Sequence, residues 1–293
     1  MAVSRKEIEE GIAAKIIALL DDGCVPWKKG WTSQGILPAN FYTKRPYRGI
    51  NSLILGMEAM AHGYSSPYWT TARAAITNHK AYPMKGTTAS YAILWKPTVK
   101  RDEATGEDKR FFLMRSYAVF NLDQIDGIEA PVIDRGEPIE VPSALATLRE
   151  SYENPPKLRH VEGDRAYYAP MHDEITLPKV EQFNSVEAYA ETWAHEHIHS
   201  TGHESRLNRL ERTWVEREDY AFEELVAEIG AAMLMQGVGV SIDLPVMAGY
   251  IDNWRKAISD DPSIVVSAAQ KAQRACDVIH NAVPEAVQQE VAA

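Results

Sequence analysis

The alternation of apolar and polar positions divides the chain into a helical opening, a β-prone middle and a helical close. Ile8, Ile12, Ile16 and Leu19 recur at helical intervals among charges over residues 4–21, which predicts an amphipathic helix ended by Gly23 and Pro26. A second helix is expected at 52–62. From residue 86 the texture changes, and Ala89–Trp95 and Phe111–Phe120 are β-prone runs. The charged tract between them, Lys100–Arg110, reads as a hairpin loop, so an antiparallel pair is expected. Further on, a helix at about 143–152 leads to two short strands, 165–170 and 174–178, separated by Met171-His172-Asp173. The second of these reads either as an edge strand able to pair with an extended peptide or as an internal strand of the small sheet. Ser185 followed by an acidic first turn, with no Gly or Pro through Ala194, predicts a capped helix. Tyr220–Leu234 predicts another, with Leu225, Ile229 and Ala232 on its core side. Helices near 244–259 and 263–281 and a polar tail complete the chain. The fold class these elements imply is α+β.

At 293 residues the chain exceeds the usual single-domain size, so two domains are expected. The predicted division is 1–128, a linker at 129–142 punctuated by Pro131, Pro138 and Pro142, and 143–293. Hydrophobic and charged fractions of 45% and 25% fit a globule with a substantial core. No apolar run approaches the roughly 20 residues that cross a bilayer, and the opening residues lack a signal-peptide hydrophobic region, so a cytoplasmic protein without a membrane partner is expected. Cys24 and Cys276 form no zinc or disulfide pattern, which suits a reducing compartment.

The net charge of −10 is unevenly distributed. Residues 1–128 carry 17 Lys+Arg against 12 Asp+Glu, whereas 129–293 carry 14 against 29, which suggests two modules with different partners. The basic half also holds 15 of the 26 aromatics. In it Trp27, Lys28, Lys29 and Trp31 interleave indoles with ammonium groups on a turn-like segment, and Asn40–Asn51 and Tyr64–Arg73 repeat that texture. Aromatic faces stack on unpaired bases while cations follow the phosphates, a sequence-tolerant platform for single-stranded DNA. Candidate contacts are Trp27, Lys28, Lys29, Trp31, Tyr47, Arg48, Asn51, Tyr68, Trp69, Arg73 and Lys85. Duplex recognition would call for a recognition helix, and none is evident.

The acidic half carries His195-Glu196-His197-Ile198-His199, the pattern His-Glu-x-x-His. On a helix, His195 and His199 lie one turn apart on one face and can reach a single ion. Glu196, one residue round, can then meet a water that the metal acidifies and take its proton, the layout of a zinc peptidase. Gly202 supplies a helix stop. An extension His-x-x-Gly-x-x-His fails, because Ser205 stands where the last histidine would be. The third ligand is therefore sought on the 220–234 helix, where Glu224 is the choice and Glu228, one turn on, would orient a histidine. Glu223 or Glu228 could be the ligand instead, and His203 is a candidate for orienting a ligand or for a transition-state role. Two imidazoles and a carboxylate favour Zn2+, with Mn2+ or Co2+ as substitutes. There is no internal repeat and no phosphate-cradling glycine loop, which counts against a nucleotide-driven enzyme.

Pro26-Trp27, Tyr47-Arg48-Gly49-Ile50-Asn51, Tyr64-Ser65-Ser66-Pro67-Tyr68-Trp69, Lys85-Gly86 and Val119-Phe120-Asn121-Leu122-Asp123-Gln124 resemble successive signatures of the N-terminal domain of the ArdC antirestriction family, which TraC-type plasmid primases share. The later half, from His195 to His203 and on through Ser205-Arg206-Leu207-Asn208-Arg209, resembles the zincin-like metallopeptidase domain that accompanies it. The likeness spans about residues 5–255. It implies a plasmid- or phage-associated protein that binds single-stranded DNA and protects incoming DNA from host restriction. His197 departs from the aliphatic residue usual in the family, at a position facing away from the metal. The resemblance supplies no peptidase substrate; host restriction or DNA-processing proteins are the class considered. The competing expectation is a non-enzymatic protein that coats single strands and whose metal is structural.

Overall fold

The computed structural model describes residues 4–22, 37–101, 108–131, 140–210, 217–240 and 248–282. Helix α1 (Arg5–Asp21) starts where Ser4 Oγ accepts from the Glu7 N–H and the Glu7 carboxylate accepts from the Ser4 N–H, a reciprocal cap. Its apolar stripe of Ile8, Ile12, Ile16 and Leu19 is buried, as the periodicity predicts. Strand β1 (Ala39–Asn40), helix α2 (Ile50–His62), strand β2 (Tyr68–Thr70), helix α3 (Ala72–His79) and strand β3 (Tyr82–Pro83) follow. The long strands β4 (Ser90–Arg101) and β5 (Asp108–Asn121) pair antiparallel from Ser90↔Val119 to Arg101↔Asp108. The hairpin therefore extends into the charged tract that the sequence reads as loop. Strand β6 (Ile125–Asp126) pairs with β3, and the larger sheet has the order β1-β2-β5-β4.

The second half comprises α4 (Val141–Ser151), β7 (Lys157–Val161), β8 (Tyr167–Ala169), β9 (Glu174–Pro178), α5 (Val186–Ser200), α6 (Arg217–Gly237), α7 (Ala248–Asp260) and α8 (Ile264–Ile279). Its sheet has the order β7-β9-β8, with β7 parallel and β8 antiparallel to β9. Of the two readings of 174–178, the structure takes the internal strand. Ile175, Thr176 and Leu177 are buried in a central strand, and β8 is the free edge on the side of α5. The architecture is α+β, a sheet-bearing first half and a mainly helical second half. No helix among the described residues is long and apolar enough to cross a membrane.

One hydrophobic cluster runs through both halves, from Ile8, Ile16, Leu53, Met57, Ile93 and Met114 to Trp193, Ile198, Ile229, Leu234, Val265 and Ile279. Polar contacts rim the seam. Arg48 donates to both Asp277 carboxylate oxygens at 2.5 and 2.6 Å, the Gly49 N–H donates to Gln273 Oε1 at 2.9 Å, and Arg255 pairs with Asp21.

Three residues expected at a DNA surface belong to this interior. Tyr47 and Trp69 are 4% and 0% exposed and pack with Leu55, Ala92 and Val119, so neither offers a ring face to a base. Asn51 is 7% exposed. Its amide donates to the Ile93 carbonyl at 2.8 Å and accepts from the Ile93 N–H at 2.6 Å. It thus closes the outer edge of β4 as a strand neighbour would.

Candidate metal centre

Helix α5 begins where the sequence places it. Ser185 Oγ accepts from the Ala188 N–H at 3.1 Å, and the helix ends at Ser200, two residues before Gly202. It packs on α6 at close range because Gly230 has no side chain; a Cβ there would lie 2.9 Å from Ile198 Cδ1 and Cγ2. The ligand-bearing faces consequently meet.

His195 Nε2 and His199 Nε2 are 3.0 Å apart. Glu224 directs Oε2 to His195 Nε2 and Oε1 to His199 Nε2, each at 3.5 Å. Among the described residues, His195, His199 and Glu224 are the group whose ligand atoms all lie within 4.8 Å of one another. Ligand atoms around a tetrahedral ion with bonds of about 2.1 Å are roughly 3.4 Å apart, so these separations suit a shared cation. Without one, the imidazoles and carboxylate satisfy each other. Burial works against a charge on His199, but the Glu223 and Glu224 hydrogen bonds prevail and push its pKa up to about 9. Burial likewise acts to raise the Glu224 pKa, and the two histidines overcome it and hold the group well below the carboxylate range.

The nearest support comes from a residue not chosen for that role. Glu223, beside the expected ligand, lies 3.1 Å through Oε1 from His199 Nδ1 and is 4% exposed. Arg209 fixes it, donating from Nε at 2.9 Å to Oε2 and from Nη2 at 2.8 Å to Oε1. The same guanidinium donates to Thr201 Oγ1 at 2.6 Å and to the Ile198 carbonyl at 2.5 Å, so the loop after α5 clasps both helices. Glu228 has no comparable hydrogen bond among the described residues; burial raises its pKa, partly offset by the charge of His195. The signal for Glu223 lay in the sequence, three adjacent-turn acids on one helix, but which of them faces a histidine depends on how α6 is rotated against α5.

Glu196 is buried at 7% exposure. Burial raises its pKa, the histidine charges oppose this, Glu224 adds to it, and the Tyr168 backbone N–H of β8 lowers it. The acid is therefore held beside both the ligand cluster and the free sheet edge. His197 faces the other way, as expected: its ring stacks on Trp193 with centroids 3.5 Å apart, Nδ1 is 2.7 Å from the Trp193 carbonyl, and burial lowers its pKa to about 3. His203 is half-buried, and its Nδ1 is engaged by Ser205, accepting from the N–H at 3.2 Å and lying 2.8 Å from Oγ, rather than by a candidate ligand. Arg206 was not singled out for a site, yet it braces the region, donating to the Ser200 carbonyl at 2.8 Å and pairing with Asp173.

Of the remaining candidate DNA contacts, Arg48, Arg73 and Lys85 are exposed and Tyr68 is half-buried, with Arg48 engaged by Asp277. Trp27, Lys28, Lys29 and Trp31 lie outside the described residues.

A histidine pair on one helix, a glutamate from the next, a buried acid between them and a small sheet with its edge alongside define the second half as a zincin-like metallopeptidase domain. The family described as zincin-like metallopeptidase matches residues 153–271, and the N-terminal domain of anti-restriction factor ArdC matches 6–120. The chain belongs to the ArdC antirestriction family. It is 34% identical to the crystal structure of the antirestriction ArdC protein from plasmid R388 in its metal-free form, with a TM-score of 0.76 over 94% of this chain and 97% of that one. The Mn(II)-bound structure of that protein gives 32% identity and a TM-score of 0.75, with 94% and 98% covered. Among curated relatives, it is 34% identical to a DNA primase TraC of Escherichia coli over 95% of this chain but 27% of the primase, so it spans about a quarter of that relative's length. It is 31% identical to the uncharacterized protein y4eC of Sinorhizobium fredii (strain NBRC 101917 / NGR234), over 97% of this chain and 95% of that protein. The donor set and the Mn(II)-bound relative together support a divalent metal at His195, His199 and Glu224.

Proposed function

We propose that the chain is a plasmid-type antirestriction protein that binds single-stranded DNA without strong sequence preference and hydrolyses peptide bonds at a zinc site, protecting DNA as it enters a recipient cell. The observation that carries the reading is the convergence of His195, His199 and Glu224 on one point with the Glu196 carboxyl buried beside it. A divalent cation held there would polarise a scissile carbonyl and acidify water. Glu196 is the group that takes a proton at its carboxylate and returns it to the leaving nitrogen. Burial raises its pKa above the ordinary carboxylate value. Strand β8, the edge beside α5, offers its backbone to an extended segment of the substrate. Glu223 orients His199 through its Nδ1 edge. The substrate class is a host protein that meets the incoming strand. Single-strand binding is supported by the basic, aromatic first half and by its kinship with the ArdC N-terminal domain.

The test is Glu196→Gln, which keeps the three ligands and removes the proton acceptor. Metal content should match the parent, while protection of transferred DNA in a restricting host should be lost. Undiminished protection with metal bound would refute the peptidase reading and leave a protein that coats single strands around a structural metal.

A further inference from the structure

Between Gly23 and Arg101 the sequence holds eleven Lys+Arg and a single acid, Glu58. That acid is 2% exposed and pairs with Lys15 at 2.6 Å and His62 at 3.2 Å, so it lends no negative charge to the surface. In a chain of net charge −10, this is a local excess of cations in the sequence. Lys44, Arg45, Arg73 and Lys80 are exposed, and none has a carboxylate partner among the described residues. By contrast, Arg48 in the same stretch is held by Asp277.

Among the described residues, Lys44 is the one of these four set against aromatic rings. Its ammonium lies 4.2 Å from the Phe41 ring centroid and 4.1 Å from that of Tyr68, within cation–π range of both. The turn that carries it is fixed at several points. Asn40 Oδ1 accepts from the N–H groups of Tyr42 and Thr43, both at 3.0 Å, the Lys44 N–H donates to the Asn40 carbonyl at 2.9 Å, and Phe41 N–H donates to the Trp69 carbonyl at 2.9 Å. Lys44 itself has φ +58°, a conformation uncommon for a residue with a side chain. Tyr42 Oη donates to the Ala74 carbonyl at 2.9 Å, which docks the turn on α3, and the His79 ring at the end of α3 stacks on Tyr42 at 5.8 Å with 30° between planes. Arg73 precedes Ala74 and Lys80 follows His79, so both cations flank the same turn. The result is an exposed imidazole, in ring contact with Tyr42 and Phe41, against the turn that carries an ammonium set on two rings.

We infer that Lys44, with Phe41, Tyr68 and the stacked pair Tyr42 and His79, is a contact site for single-stranded DNA, the ammonium meeting a phosphate and the His79 face meeting a base. Two rings set against a lysine fix its position without neutralising it, which preorganises the charge for an anion. An adjacent free ring face is what unpaired bases use and what a duplex cannot reach. Of these five residues the sequence reading proposed Tyr68 alone. It also placed Tyr47 and Trp69 at the DNA surface, and they prove to lie beneath this site, where Trp69 supports the turn through its carbonyl. The inference rests on the single-strand reading proposed above, and the experiment separates the two.

Anisotropy of labelled oligo(dT) is measured with the full chain over a range of NaCl concentrations at pH 8, for the parent, Lys44→Gln, His79→Ala and Lys157→Ala, the last an exposed lysine of the other half. Lys44→Gln should bind roughly three- to tenfold more weakly, and its log–log salt dependence should flatten by about 0.7, the loss of one phosphate contact. His79→Ala should also weaken binding but keep the parent slope, since it removes a stacking face and no phosphate contact. Lys157→Ala should match the parent. If the parent binds and both Lys44→Gln and His79→Ala bind equally well with unchanged slopes, the site is wrong and the single-strand reading stands. If the parent fails to bind oligo(dT), both fall, and a preference for duplex competitor would overturn the assignment of the His79 face to an unpaired base.

Discussion

Arg209 touches no proposed ligand, yet its replacement should weaken both the fold and metal binding. Arg209→Met deletes the donors that pin Glu223 and bridge Thr201 and Ile198, at a site where both side chains of the ion pair are 6–7% exposed. Removing one member of a buried pair costs about 3–5 kcal/mol, because the other is left as an uncompensated charge. In the metal-free protein Glu223 keeps one cation, since His199 stays protonated to about pH 9. The loss there should fall near the lower limit, about 3 kcal/mol. With metal bound, His199 is neutral and offers only an N–H donor, so the loss should approach the upper limit. The difference, up to about 2 kcal/mol, corresponds to as much as about a thirtyfold weaker metal affinity, within the 10- to 100-fold range of groups that orient a ligand. Chelator competition measures the affinity, and denaturant unfolding with and without metal measures the stability. The double variant Arg209→Met/Glu223→Leu should recover part of the stability but not the affinity, because the unpaired Glu223 carboxylate is gone while His199 still lacks its partner. Parent-like metal affinity in Arg209→Met, or a stability loss below about 1 kcal/mol, would refute the reasoning.

Proton release on metal uptake follows from the same histidine. Its folded pKa near 9 lies above the unfolded value, so its contribution to metal-free stability is full below about pH 6.5 and is lost as pH rises through 9. Metal must displace that proton, so calorimetry in buffers of different ionisation enthalpy should detect release at pH 7.5, affinity should rise toward pH 9, and buffer-independent heats would contradict it. The continuous core predicts that residues 1–128 expressed alone will not show a cooperative unfolding transition, since Ile8, Leu53, Met57 and Ile93 would lose their partners in the second half. A sharp two-state transition for that fragment would show that the seam is dispensable.

Elements whose order comes from local pattern were legible in the sequence. The apolar spacing of α1, the cap at Ser185, the β-prone runs of β4 and β5 and the core face of α6 all depend on neighbours within a turn or two, and the structure reproduces them. Strand order was not legible, because nothing within Glu174–Pro178 tells an edge from a centre. Its burial is imposed by Lys157–Val161 on one side and Tyr167–Ala169 on the other. The aromatics of the first half show the same limit. A tryptophan serves a core or a base equally well, and Trp69 went to the core because Leu55 of α2 and Val119 of β5 close over it.

The metal centre divides along the same line. His195 and His199 are related by one helical turn, so their convergence is a property of α5 alone. Glu223, Glu224 and Glu228 differ by rotation about α6, and that rotation is set by the close approach at Gly230 and by the Arg209 clasp, neither of which has a local signature. A spacing of four selects Glu224 and Glu228 together on one face and leaves Glu223 about 100° away from Glu224. Because α6 crosses α5 at short range, that turn of the helix carries Glu223 to the Nδ1 side of His199 while Glu224 reaches the Nε2 side. Adjacent acids thus address opposite edges of one imidazole, an arrangement that fixes the ring plane as no single carboxylate could.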